Sequence, residues 1–340
     1  MPRPLSWGLL ILFLAAGVAI LVWMRPAARV TPPASSGVAR GDPAALRLHL
    51  PSVVDLAIGE NRLVFGFSDR DGRMLGDKDI SEVSVVVWDL TGPEAKAVQA
   101  VPAQFLHSGW REVSKASYYE NPGPLADGFF KATVRLPRAG QWGLDFMVRR
   151  PGMKPFAQRV LPTVLSESLT LPVGAPAPRS RNPTLKDVRG DLTRLDSDPR
   201  LNDVEMHRLS IADVIKGGRP AAVLFASPGF DESRLSLPIT EILYSLYPEH
   251  GGKVEFVHVE VYDLDRYRRE LLERTRDAAT PGPMLSGTAE EWGVQNHPWL
   301  FFIDRRGRIF AKFFGPVARR EVEETLRRLV SQDEQRSRER

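Results

Sequence analysis

From residue 46 to residue 171 apolar and polar positions keep a period of two. Leu63, Phe65 and Phe67 mark one face, and DRDG at residues 69–72 turns the chain. Val83, Val85 and Val87 alternate next. Phe130, Ala132, Val134 and Leu136 are separated by Lys131, Thr133 and Arg135. Arg138, Ala139 and Gly140 form a turn, after which Trp142, Leu144, Phe146 and Val148 alternate. Phe156, Gln158 and Val160 predict one more strand, and residues 168–171 another. Side chains of a strand point alternately to opposite faces, so each run offers one apolar face to a core. Short strands of this kind, joined by Gly, Pro and Asp turns with no helix of note between them, predict an antiparallel β-sandwich. Trp88, Trp110 and Trp142 are assigned to its core.

Residues 172–183 are proline-rich and read as a linker. Beyond them the period changes. Ser210, with Asp213 three residues on, starts a short helix through Lys216, and Gly217-Gly218 ends it. AAVLF at residues 221–225 is a short buried strand. Ile239, Ile242, Leu243 and Leu246 follow Pro238 at helical spacing. Val254, Phe256 and His258 form another strand, in which His258 is structural. Residues 263–277 read as a helix or a charged excursion. Residues 299–303 and 308–314 are the arms of a hairpin that turns at DRRG. The last helix has Val322, Leu326, Leu329 and Val330 on one face. Arg319–Glu323 and Arg320–Glu324 pairs lie on the other.

Residues 5–24, LSWGLLILFLAAGVAILVWM, contain no charge. A helix of that length spans about 30 Å, the thickness of a bilayer core. Trp7 and Trp23 sit near its ends, where amphipathic rings favour the interface. Residues 1–25 therefore read as a single-pass anchor, with a cleaved signal as the alternative. Residues 26–45, rich in Pro, Ala and Ser, read as a flexible tether, and residues 333–340 as a polar tail. The 46 Lys+Arg are nearly balanced by 42 Asp+Glu, with the signs interleaved. That pattern describes solvated faces, so no nucleic-acid partner is expected. Cysteine is absent, which excludes disulfides, thiolate metal sites and cysteine nucleophiles. Histidine and methionine are too scattered to argue for copper, and neither a metal nor a cofactor is expected.

Three features in order carry a resemblance. AAVLF runs into ASPGF and DESRLSLP; NHP at residues 296–298 opens the strand WLFFI ahead of a hairpin; ARREVEETLRRLV closes the chain's second half. This order resembles thioredoxin-like (redoxin) domains of the membrane-anchored extracytoplasmic type. The implied fold class is multi-domain: an N-terminal transmembrane helix, an Ig-like antiparallel β-sandwich over residues 46–171, and an α/β thioredoxin-like domain over residues 184–332. The implied location is the membrane, with the soluble domains extracytoplasmic. His297-Pro298 matches the family's cis-proline dipeptide. Both redox cysteine positions are substituted, the candidates being Asp231 and Ser236. Disulfide exchange needs a thiolate, so that activity does not transfer.

Two functions remain open. Asp231 either caps a helix or pairs with His297, raising the imidazole pKa to make a general base toward Ser233 or Ser236, as in a hydrolase-like enzyme. In the other reading the chain is no enzyme but a redox-inactive polypeptide-binding or scaffold module. Its groove would be formed by Phe230, Asp231, Ser236, His297, Pro298 and Trp299, and its partner would be a protein or peptide client.

Overall fold

The computed structural model describes residues 46–114, 123–201, 203–273 and 283–338. The alternating runs of the first half form β1 (Arg47–His49), β2 (Gly59–Ser68), β3 (Met74–Leu75), β4 (Glu82–Asp89), β5 (Lys96–Pro102) and β6 (Gln104–His107). A single helical turn, α1 (Trp110–Val113), precedes β7 (Gly128–Leu136), β8 (Gly140–Arg149), β9 (Phe156–Val160) and β10 (Thr163–Val164). One sheet has the order β1-β2-β7-β6, with β3 on β2. The other has the order β10-β8-β4-β5, with β9 on β8. The predicted inward residues fill the space between them: Leu63, Phe65, Phe67, Val85, Val134, Trp142 and Phe146 form one buried cluster. Residues 168–171 are not a strand. They are held instead by the Asp55 carboxylate, which accepts from the Leu169 N–H and the Ser168 hydroxyl. The sequence reading passed over β5 and β6, where Lys, Gln and His on the outer face blur the alternation.

The second half contains α2 (Ile211–Gly217), β11 (Ala221–Ala226), α3 (Ser236–His250), β12 (Glu255–Glu260) and α4 (Leu264–Glu273). It continues with α5 (Gly287–Glu291), β13 (Trp299–Ile303), β14 (Ile309–Phe314) and α6 (Arg319–Arg338). The strands make one sheet of order β12-β11-β13-β14. β11 runs parallel to β12 and antiparallel to β13. All six residues of β11 are fully buried, because both faces of this sheet are covered. Ala222, Leu224, Leu300 and Phe302 pack with α3 and α6 on one side. Val223, Phe225, Phe301 and Ile303 pack with α2 and Trp292 on the other. The capping box at Ser210 and Asp213 is present, and Gly218 takes φ 65° to end α2.

The proline-rich stretch is docked along the hairpin: Ile309 N–H donates to Ala175 O, and Ala177 N–H to Gly307 O. The two halves also meet directly. Val64, Leu125 and Phe129 of the sandwich pack with Leu235 and Ala318. Arg62 and Lys131 of the sandwich both bind Glu321, at 2.8 and 2.9 Å. Trp110 projects out of the sandwich into the core beneath α3 and α6.

The expected fold class needs correction. The described residues are mainly β, with fourteen strands in three sheets and few helices, and the first two sheets are sandwich-like. Much of residues 172–209 lies in loops and short 3-10 turns where an α/β domain would place longer helices. No helix among the described residues is long and apolar enough to cross a membrane. Residues 5–24, on which the anchor reading fell, and the tether at 26–45 lie outside the described residues. The transmembrane anchor, the single-pass location and the membrane partner are therefore unsupported and are not carried further.

Candidate functional site

The segment after β11 turns sharply before α3 begins. Ser227 O accepts from Phe230 N–H, and Asp231 then organises the next turn. Its Oδ1 accepts from the Ser233 N–H at 2.9 Å and from the Ser233 hydroxyl. Its Oδ2 accepts from Leu235 N–H at 2.9 Å and Ser236 N–H at 2.6 Å. These are the orphan donors that a helix start leaves exposed, and a carboxylate there also meets the positive end of the helix dipole. Asp231 is thus a cap, the first of its two readings. Removing it in Asp231→Ala is expected to lower unfolding free energy by about 1–2 kcal/mol. The urea midpoint is the readout, and an unchanged midpoint would contradict the capping role.

Ser236, at the start of α3, is fully buried. Its hydroxyl lies 2.9 Å from His297 Nδ1. On the other side of the ring, Nε2 lies 3.3 Å from the Tyr262 hydroxyl. The His297-Pro298 bond is cis. Asp231 Oδ2 stands 3.9 Å from His297 Nδ1, on the same nitrogen that Ser236 occupies. A base-orienting carboxylate would bind the nitrogen opposite the nucleophile, so this trio does not have triad geometry. The expected rise in the His297 pKa is also reversed: burial lowers it, and the opposing pull of Asp231 is too weak to compensate. His297 therefore sits between two hydrogen-bond partners, with burial holding its pKa down.

The other predicted groove residues divide by burial. Phe230 is half-buried, with Tyr262 and Tyr267 edge-on to it at 5.9 and 5.0 Å. Pro298 is buried, and its carbonyl accepts from Gly315 N–H. Trp299 is also buried, stacked on Phe301, with its indole N–H given to Asn296. It belongs to the core and offers no face to a client. The sandwich closes one flank of the loop. A Cβ on Gly123 would stand 2.6 Å from Ser233 O and 2.7 Å from Arg234 O, so only glycine allows this approach.

A second polar constellation was not singled out by the sequence reading. Asp196, Asp203, His207 and His258 are all buried, and their ligand atoms lie within 4.8 Å of one another. His258 Nδ1 is 2.8 Å from Asp203 Oδ2, and His207 Nε2 is 3.2 Å from Asp203 Oδ1. Burial works to lower the His258 pKa, but Asp203, Asp196 and Glu260 outweigh it and push the imidazole up to about 9. Burial drives the neighbouring Glu260 up to about 7 and also raises Asp196. For Asp203 burial acts upward too, yet the His258 charge and the two imidazole contacts hold it below the usual carboxylate range. The only sequence signal was DVEMH at residues 203–207, an Asp and a His four residues apart, which looks like any polar helix face.

No protein-family model matches the chain, and no curated protein does.

Proposed function

We propose that the chain is a polypeptide-binding module working without sulfur chemistry, the role its resemblance to redoxins implies once the cysteines are gone. One observation carries this reading. The polar groups of Asp231, Ser236 and His297 are engaged with one another, with backbone or with Tyr262, while Phe230, Tyr262 and Tyr267 form a half-buried aromatic rim beside them. Aromatic side chains give large contact area at low entropic cost and are enriched where proteins bind one another. The partner is an extended segment carrying apolar or aromatic side chains. The hydrolase-like alternative finds less support, since its serine is fully buried and its carboxylate is committed to backbone N–H groups.

The test is fluorescence anisotropy with a labelled, unfolded reporter polypeptide. Phe230→Asp and Tyr267→Asp are each expected to weaken its binding about tenfold, the loss of roughly one aromatic contact of about 1.4 kcal/mol. Equal affinity in the wild type and both variants would rule out this rim.

A further inference from the structure

We propose that Asp196, Asp203, His207 and His258 form a buried site for one divalent transition-metal ion of the zinc class. The four residues come from three places in the chain. Asp196 lies in the loop after a 3-10 turn (Leu192–Arg194). Asp203 precedes, and His207 ends, a later such turn (Val204–His207), and His258 lies in β12. Their donor atoms, two carboxylate oxygens and two imidazole nitrogens, already converge within 4.8 Å. Zinc takes four such ligands tetrahedrally, at about 2.0–2.2 Å each.

Two independent observations point to a ligand. Asp196 is fully buried, and its Oδ1 accepts from Asp198 N–H at 2.7 Å. Its Oδ2 has no hydrogen-bond partner and stands 4.0 Å from His258 Nδ1. Leaving a buried carboxylate oxygen unpaired is costly, and a cation between it and the imidazoles removes that cost. The second observation concerns the outer face of His258, whose Nε2 lies 3.4 Å from the backbone carbonyl of Ala226. Metal-bound imidazoles characteristically give their other N–H to a carbonyl or carboxylate, which fixes the tautomer and aims the free nitrogen at the ion. Here that arrangement leaves Nδ1 directed at Asp203 and Asp196.

The donor set selects the class of ion. Calcium and magnesium prefer oxygen-only shells, whereas two imidazoles with two carboxylates suit zinc and its neighbours. Two carboxylates also neutralise a divalent charge in a place where net charge is expensive. Access exists: a cleft of ≈ 650 Å³ is lined by both His207 and His258, together with Leu195 and Glu260. The position fits a structural ion. It would join the loop carrying Asp196 and Asp203 to the central sheet, in a stretch of chain that has little regular secondary structure of its own.

The test uses the full chain, stripped with a chelator and titrated with Zn²⁺ alone, and with Co²⁺ as a spectroscopic stand-in. One equivalent should bind, the thermal midpoint should rise with Zn²⁺ concentration, and Co²⁺ should show the intense ligand-field bands of a tetrahedral site. Asp196→Asn keeps the side-chain shape and the bond to Asp198 N–H, so it should fold. It should weaken Zn²⁺ binding at least tenfold and abolish the thermal shift. His207→Gln should do the same, with circular dichroism confirming its fold. Failure to bind one equivalent, or stoichiometric binding that survives both substitutions, would overturn the proposal. In that case the cluster is a metal-free network of buried carboxylates and imidazoles, and Asp196→Asn should raise stability in the absence of metal. None of these outcomes bears on the aromatic rim, which is tested by its own variants.

Discussion

Glu321→Ala is expected to destabilise the protein by about 3 kcal/mol or more, as the loss of one partner from a buried ion pair does. Glu321 lies in the first turn of α6 and is only 11% exposed at its side chain, while the Arg62 side chain is 16% exposed. The guanidinium stands over the rings of Phe129 and Phe313 and also donates to the carbonyls of Phe314 and Pro316. It cannot leave for solvent without disrupting packing in both halves. Truncating the glutamate therefore strands Arg62, loosens Lys131 at the same time, and removes the acceptor for Ala318 N–H at the start of α6.

The effect has a pH signature. Burial alone would push the Glu321 pKa up, but the charges and hydrogen bonds of Arg62 and Lys131 outweigh it and hold it below the usual glutamate range. A depressed carboxylate contributes stability that is fully present above its unfolded pKa of about 4.5 and is lost as pH falls through the folded value. The gap between wild type and Glu321→Gln should accordingly be widest near neutral pH and close in acid. Urea melts from about pH 7 down to about pH 3 provide the check. A gap that stays constant with pH would show that the carboxylate's charge is not what matters.

The second large effect is expected at Trp110. Trp110→Ala should cost about 3–5 kcal/mol, the range for emptying a buried aromatic site. Trp110 is 2% exposed and packs among Leu237, Val317 and Leu326, residues of the opposite half. Its indole N–H donates to the Glu241 carboxylate on α3. Substitution thus opens a cavity in a core to which the sandwich otherwise contributes little. If the halves depended on one another less than this contact implies, Trp110→Ala would leave the unfolding transition of the second half unmoved. Coincident transitions by far-UV and near-UV circular dichroism, both shifted to lower urea, are the expected result.

Trp110 also shows where sequence reading stops. It was expected in the core of the sandwich, but the core it joins is the one beneath α3 and α6. Which core it joins depends on a contact between residues more than a hundred positions apart. The same division runs through the site. The cap at Asp231 and the cis His297-Pro298 bond were legible from the turn chemistry and from the order of motifs. The fall in the His297 pKa was not, because it depends on how much of the ring the surroundings bury. Trp299 looked like a groove residue because it follows the proline, yet strand pairing with Phe225 and Phe314 turns it inward. The Asp196–His258 cluster left almost no trace, since its members are spread from residue 196 to residue 258 over loop, 3-10 turn and strand.

The sequence by itself determined most of the alternating strands of the first half, the buried strand at residues 221–225, the caps of α2 and the closing helix. Each of these follows from local periodicity and from donors that neighbouring residues must satisfy. It also ruled out thiol chemistry, because no cysteine is present. Tertiary structure alone decided how the halves lock through Glu321 and Trp110, which polar groups face a cleft, and in which direction burial and nearby carboxylates move each imidazole pKa. The physical reason is that desolvation and charge pairing depend on distances between residues remote in the chain, and a one-dimensional pattern does not contain those distances.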